Sequence, residues 1–259
     1  MTSSTGPELV FAFAYIIVGS ILATCLLTVL KFDIGHTVTS KTGAYLTSAL
    51  NSACETCLRL FSVADPHSAP KGESSSLSRG YLQDLPHRSG ARPTVRGCLN
   101  PRQTDQLPTF DKDINGRLRQ LLTDTSAKYP ESIYLGRSTF EGGNATLFAR
   151  HRVFDQTKYH GEIVGMHVDS GSMTVTIHPD DVRAVIENGW GQRHPLSSRS
   201  ATWLRYSTTS AHHTPKAGTQ VILYAPRNQE ELNLIEQVIN AAVWWVGGID
   251  SSLRKESFC

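Results

Sequence analysis

The chain lacks the signatures of several common enzyme classes. No G-x-G-x-x-G follows a strand, and the sequence has no P-loop and no G-x-S-x-G nucleophile elbow. These absences argue against a flavin or nucleotide fold and against a serine hydrolase. Long blocks of like charge are also missing, because 25 Lys and Arg are interspersed with 23 Asp and Glu. We therefore expect no nucleic-acid partner.

Cysteine is scarce, and the number of cysteines is odd. There are five, and the Cys54 and Cys57 pair has no second pair to complete a zinc site. The pattern disfavours both a disulfide framework and a structural zinc ion.

Charged residues are absent from residues 9–30, which are mostly apolar. A helix of this length crosses a hydrocarbon core of ~30 Å. The preceding residues contain no Lys or Arg, which disfavours a cleaved signal peptide, and a buried core helix is the other alternative. Lys31 and Lys41 follow the run, whereas only Glu8 precedes it. We predict a single-pass anchor over residues 1–32, with the rest in the cytosol on an endomembrane such as the endoplasmic reticulum.

Residues 33–80 predict a juxtamembrane amphipathic helix and then a flexible linker. Apolar side chains recur at helical spacing between residues 42 and 63, whereas residues 64–80 are rich in Ser, Pro and Gly. The folded domain is predicted over residues 81–259.

The patterns within this domain predict an α+β fold with a mainly antiparallel sheet and packed helices. Three helices are predicted, from Asp111 to about Tyr129, from Pro179 to a stop at Gly189, and from the cap Asn228 to Gly247 and Gly248. Five strand-like runs are predicted at residues 146–154, 162–168, 172–177, 201–206 and 219–224.

Residues 169–171, Asp-Ser-Gly, predict a three-residue hairpin loop with Gly in the left-handed conformation. Symmetric pairing sets His167 opposite Met173 and places its imidazole on the apolar face, beside Val175. A bulge would shift this register by one residue and turn the imidazole outward. Because desolvation lowers the pKa of a histidine, His167 is a candidate general base, and a hydrogen-bonded core histidine is the alternative.

The same tripeptide, His167-Val168-Asp169, also matches half of a two-His-one-carboxylate iron site. The third ligand of such a site would be His194, His212 or His213. Asp169 is better explained as a turn residue.

Two motifs in the C-terminal half resemble the fungal luciferases. They are residues 189–196, Gly-Trp-Gly-Gln-Arg-His-Pro-Leu, and residues 224–231, Tyr-Ala-Pro-Arg-Asn-Gln-Glu-Glu. Residues 81–94 are also similar to that family. The resemblance implies a membrane-associated oxygenase that oxidises an enolic 2-pyrone directly with dioxygen and uses neither flavin nor metal. We therefore expect a small-molecule substrate, dioxygen and no cofactor.

The resemblance and the residue chemistry together give a candidate site. The predicted catalytic residues are His167, His194 and Arg227, and the predicted substrate-binding residues are Trp190, Arg193 and Tyr224. A guanidinium pairs well with an enolate oxygen, and aromatic rings stack on a conjugated ligand. In the alternative interpretation Trp190 packs against the preceding helix and Arg227 binds loop carbonyls.

The sequence departs from the luciferase pattern at two positions. Where the fungal luciferases have His-Met-His and Leu-His-Leu, this chain has Gly165-Met166-His167 and Met173-Thr174-Val175. Two of three imidazoles are therefore missing, and we predict a member that emits no light. A non-redox enzyme or a small-molecule-binding protein on the same scaffold is the alternative function.

Overall fold

A computed structural model describes residues 58–70, 80–98, 100–105, 114–138, 145–150, 161–197 and 218–249, together with residues 19, 52, 55 and 56. Most of the predicted membrane helix, the Cys54 and Cys57 pair, the run at 201–206 and the pair His212 and His213 lie outside these residues. Within the described ranges, no helix is both long and apolar enough to span a membrane. The chain divides into two compact units, residues 1–60 and 61–259, and the second contains the sheet.

Six strands form one antiparallel sheet. In chain order the strands are β1 (Val95–Arg96), β2 (Arg102–Gln103), β3 (Ile133–Arg137), β4 (Ala145–Ala149), β5 (Glu162–Met166), β6 (Met173–Thr176), β7 (Gly191–Arg193) and β8 (Gln220–Leu223). The order in the sheet is β3-β4-β5-β6-β8-β7, and β1 pairs with β2 as a separate ribbon. β8 therefore lies between β6 and the edge strand β7, although it follows β7 in sequence.

Three helices pack on this sheet. They are α1 (Ile114–Lys128), α2 (Pro179–Glu187) and α3 (Gln229–Gly247). α1 contacts β3 and β4, α3 contacts β4, β5 and β6, and α2 contacts β7. The prediction of an α+β domain with a mainly antiparallel sheet and packed helices is confirmed, and the helix ends lie close to the predicted caps.

The hydrophobic core occupies one face of the sheet. Every second residue along the central strands enters it, including Val164 and Met166 of β5, Met173 of β6 and Leu223 of β8. The helices contribute apolar residues such as Leu118 of α1 to the same cluster. Full burial of such a side chain contributes roughly 1.5–3 kcal/mol, so this face supplies most of the apolar stabilisation.

The loop between β5 and β6 has four residues, 168–171, one more than predicted. The carbonyl of His167 accepts a hydrogen bond from the N–H of Gly171 at 2.8 Å, and Gly171 has a φ of 67°. Met166, and not His167, is therefore the partner of Met173. The prediction that His167 lies on the apolar face was wrong. A one-residue change of register turns the side chains of a strand to the other face of the sheet.

The Gly-Trp-Gly motif ends α2 and begins β7. Gly189 has a φ of 77°, and its N–H and that of Trp190 bond back to the carbonyls of Ile186 and Val185, which is a Schellman C-cap. The short strand β7 was not among the predicted strands, although it pairs with β8. Its glycine-rich sequence lacks the alternation that marks a strand.

Two N-terminal segments are bound to the same unit. The N–H of Val63 donates to Pro195 at 2.8 Å, and the carbonyl of Pro66 accepts from Arg193 at 2.9 Å. Residues 63–66 are thus held at the end of β7, although residues from 64 onward belong to the predicted linker. Further along, the buried carboxylate of Asp181 accepts the N–H groups of Tyr81 and Leu82 at 3.1 and 2.8 Å.

We predict that Gly191→Ala destabilises the fold by about 1–3 kcal/mol, because the added Cβ lies 2.5 Å from the carbonyl oxygen of Ile222 and overpacks the β7–β8 pair. The matched control is Gly247→Ala at the end of α3, where the new Cβ makes ordinary contacts of 3.4 Å or more. That variant should be neutral or slightly more stable. Urea unfolding of both variants checks the prediction, and equal effects would contradict it.

Candidate functional site

The second face of the sheet is polar and buried. Gly165, Thr174, Ile222 and Gln192 are successive cross-strand partners, so their side chains lie on one face. Adjacent rows add the other members of what we call the polar face, which consists of Gly165, His167, Thr174, Thr176, Trp190, Gln192, His194, Gln220, Ile222 and Tyr224. All ten residues are buried. A buried polar face opposite a complete apolar core is where a ligand with polar groups is best accommodated.

His167 extends β5 onto this face. Its Nε2 lies 3.0 Å from Oγ1 of Thr174, and the residue is only 1% exposed. Burial, and secondarily the positive charge of Arg102, lowers the pKa of His167 from 6.5 to about 4, against the opposing effect of Asp169. The imidazole is therefore neutral near pH 7.

His194 follows β7 and is also neutral. Burial, with a smaller contribution from His167, lowers the pKa of His194 to about 3. Its Nδ1 accepts the N–H of Leu196 at 3.1 Å, so the neutral ring carries its proton on Nε2. His194 can therefore donate a hydrogen bond at a fixed position.

The two histidines lie on strands that are separated by β6 and β8, and the charge of His167 contributes to the lowered pKa of His194. Thr174, Ile222 and Gln192 occupy the surface between them.

Trp190 and Tyr224 are opposite each other at one end of the polar face. The N–H of Tyr224 donates to the carbonyl of Trp190 at 3.0 Å, and the Tyr224 hydroxyl lies 3.3 Å from Oε1 of Gln192. Trp190 donates its indole N–H to the carbonyl of Pro86 at 2.6 Å. Burial raises the pKa of Tyr224 to about 12, although Arg92 and Arg88 oppose the shift, so the phenol stays protonated.

Arg88 was not predicted as a site residue, yet it lies at the centre of this end. Its guanidinium is 5.5 Å from the ring centroid of Trp190 and 5.6 Å from that of Tyr224. Nη2 donates to the carbonyl of Ala225 at 2.8 Å and to Glu231 at 3.0 Å. The one sequence signal was that Arg88 belongs to residues 81–94, a segment similar to the luciferases.

Glu231 also binds Arg227. The backbone N–H and Nε of Arg227 donate to its carboxylate at 2.8 and 2.7 Å, and Nη2 makes a third contact. Asn228 caps α3 as predicted, but the Glu231 carboxylate bonds to the two arginines and not back to the cap. Burial raises the pKa of Glu231, and the bonds from Arg227 and the charge of Arg88 outweigh burial, so the net pKa is lowered.

Arg193 points away from the histidines. Arg193 is the cross-strand partner of Val221. The residues on either side of Val221 belong to the polar face, and side chains alternate along a strand. The side chains of Val221 and Arg193 therefore lie on the face opposite His194 and Gln192. Its Nη2 donates to the carbonyl of Ser197 at 3.2 Å. The structure thus brings together His167, His194, Trp190 and Tyr224 on one face, and it does not bring Arg193 there.

The two departures from the luciferase pattern meet in space. Gly165 and Thr174 are direct cross-strand partners, and Thr174 contacts His167. Histidines at positions 165 and 174 would therefore form one cluster with His167. Asp169, the proposed iron ligand, is in the turn with its side chain 80% exposed, and it pairs with Arg102 at 2.9 Å.

Comparisons with known proteins relate part of this chain to luciferases. The family model described as "Luciferase domain" matches residues 160–242, which include β5 to β8 and both motifs. The chain is 26% identical over 183 residues to a luciferase of Neonothopanus nambi, and 27% identical over 183 residues to luciferases of Armillaria mellea and Armillaria ostoyae. Each alignment covers 65% of this chain and 63% of the relative, so the chain matches less than two thirds of the relatives' length. No solved structure matches the chain significantly.

We predict that stability falls as the pH decreases from about 6.5 toward 4. The folded-state pKa values of His167 and His194 lie below the unfolded value of 6.5, so the unfolded chain binds more protons in this window. Their contribution is complete above pH 6.5, and His167 alone accounts for a loss of roughly 3 kcal/mol by pH 4. Unfolding free energies at several pH values check this, and His167→Gln should flatten the profile. An unchanged slope in that variant would contradict the assignment.

We predict that Glu231→Gln destabilises the fold by roughly 3 kcal/mol, because it leaves the Arg88 charge buried without a counter-ion. The matched control is Glu230→Gln, the same chemical change at the neighbouring exposed position of α3. It should change stability by less than about 0.5 kcal/mol. Denaturant midpoints at pH 7 compare the two, and similar midpoints would show that the ion pair carries little stability.

Proposed function

We propose that this chain, which carries a luciferase-family domain and is a distant homologue of the fungal luciferases, is an oxygenase. Its substrate in this proposal is an enolised pyrone or a related polyketide-type aromatic metabolite, oxidised by dioxygen without a further cofactor. The observation that carries the proposal is the pair of buried, neutral histidines on one polar face, next to an arginine cluster.

His167 is the general base in this proposal. An imidazole with a pKa of about 4 is a weak base by itself. Removal of the enol proton places an enolate beside the new imidazolium, and this ion pair favours the charged form of His167. The enolate is electron-rich and passes an electron to dioxygen, while the buried face excludes water from the reactive intermediate.

The other polar groups orient the ligand. His194 donates from Nε2, and Trp190 and Tyr224 provide aromatic surface. Oε1 of Gln220 is buried and has no hydrogen-bond partner among the described residues, which supports a ligand or water molecule there. Arg227 acts through Glu231, which it holds. Arg193 has no role in this proposal, because its side chain lies on the opposite face of the sheet.

A non-redox enzyme or a small-molecule-binding protein is the second candidate. The Gly165 and Thr174 pair favours it, because a single imidazole is present where the luciferase pattern supplies three.

We also propose, from residues 9–30, a single-pass protein of an endomembrane with its domain in the cytosol. Carbonate extraction of membranes tests the anchor, and release of the protein into the soluble fraction would exclude it.

We predict that the full chain consumes dioxygen with a hydroxylated 2-pyrone such as 3-hydroxyhispidin in metal-free buffer. His167→Gln should lower the rate about 10²- to 10⁴-fold, as expected for loss of a general base. An oxygen electrode measures the uptake, and mass spectrometry identifies the product. Asp169→Asn is the control, since an iron site would require that carboxylate and the proposed mechanism does not.

Tight binding of the pyrone with no oxygen uptake would reject the oxygenase and support the binding protein. Loss of uptake on chelation, restored by ferrous iron, would reject the cofactor-free mechanism. The doubly substituted Gly165→His/Thr174→His chain tests both departures from the luciferase pattern. If this variant emits light and the wild-type chain does not, light emission depends on the missing imidazoles.

A further inference from the structure

The end of the polar face near Trp190 carries an excess of positive charge. Glu231 is the one carboxylate that interacts with both Arg88 and Arg227 among the described residues. Arg92 is close enough to lower the pKa of Tyr224 as well, after the opposing effect of burial. Two guanidinium groups therefore share one carboxylate, and a third lies close enough to Tyr224 to affect its pKa.

Arg88 is the buried member of this group. Its side chain is 4% exposed, compared with 32% for Arg227. A single carboxylate shared with a second arginine does not neutralise it fully, so the local charge favours an anion. The N-terminus of α3, which begins after Asn228, adds further positive potential in the same place.

The guanidinium of Arg88 also has unused hydrogen-bond donors. Only Nη2 has acceptors, and Nε and both N–H groups of Nη1 are buried with no partner among the described residues. Buried donors are nearly always satisfied in folded proteins, and arginine is suited to planar oxygen anions. These unused donors favour an oxygen acceptor of a ligand at this position.

We propose that Arg88 is the residue that recognises the anionic oxygen of the ligand. Nη1 donates to an enolate or carboxylate oxygen beside Trp190 and Tyr224, and Glu231 positions the guanidinium for this contact. The ring faces that already contact Arg88 restrict its rotamers, so the donors are preorganised. The ligand class rests on the proposed function, whereas the preference for an anion rests on the charges and donors at Arg88.

The test compares two probes that share the pyrone ring, one ionised and one neutral. A 4-hydroxy-2-pyrone is ionised near neutral pH, and its O-methyl ether keeps the ring but is neutral. Isothermal titration of the full chain should show tighter binding of the enolate. Arg88→Gln should reduce that preference roughly 10- to 100-fold, as expected for loss of a charge-assisted hydrogen bond, and Arg88→Lys should restore part of it.

Arg117→Gln is the charge-matched control. Arg117 is exposed and donates to Gln229 at the start of α3, so this variant removes one positive charge near the same helix and should keep the preference. Equal affinity of the wild-type chain for the two probes, including no binding of either, overturns the proposal without any variant. An unchanged preference in folded Arg88→Gln also overturns it.

Oxygen uptake is measured separately on the same samples. Preferential enolate binding that needs Arg88, with no uptake, supports the anion site and rejects the oxygenase. Uptake by the wild-type chain with equal probe affinities retains the oxygenase and rejects the role of Arg88.

Discussion

The four-residue loop at 168–171 determines which side chains occupy the polar face. With this loop, Gly165 pairs with Thr174, and Met166 pairs with Met173. The methionines then enter the core, and His167 lies on the same face as the Thr174 hydroxyl. A three-residue loop would turn β5 relative to β6, so that Met166 would join the polar groups and His167 would lie opposite Met173 in the apolar core. The contact of the candidate base with Thr174 is therefore a consequence of one turn.

The buried carboxylate of Glu231 has a comparable role for the arginine end of the site. It joins Arg88, from the N-terminal segment, to Arg227 and the first turn of α3. Burying this cluster is costly, and ion pairs of this kind seldom add net stability over apolar packing. The cluster instead fixes the position of Arg88, because the Glu231 carboxylate holds its guanidinium beside Trp190. Removing this carboxylate would leave the charge of Arg88 buried and unpaired.

The helix ends were predictable because their signals are local. Asn228 caps α3 through its own side chain, and Gly189 takes the left-handed conformation that ends α2. In each case the residue type itself indicates the local structure.

The strand register was not predictable, because Asp-Ser-Gly fits a three-residue or a four-residue loop equally well. Arg88 could not be assigned by pattern either, since its partner Glu231 is 143 positions away. The sequence predicted that His167 is buried on the apolar face. It is buried on the polar face instead, because both faces of the sheet are covered.

The Gly165 and Thr174 pair limits the proton chemistry that His167 can perform. A hydroxyl both donates and accepts a hydrogen bond, so Thr174 can satisfy Nε2 of His167 in either tautomer, but it is not basic enough to hold a proton near neutral pH. A second imidazole at position 174 would provide a second base within contact of the first. With threonine there, position 174 cannot take over a proton that His167 holds. The site is therefore suited to one reversible deprotonation that is balanced by an anion, and this is the reaction that the positive charge around Arg88 would assist.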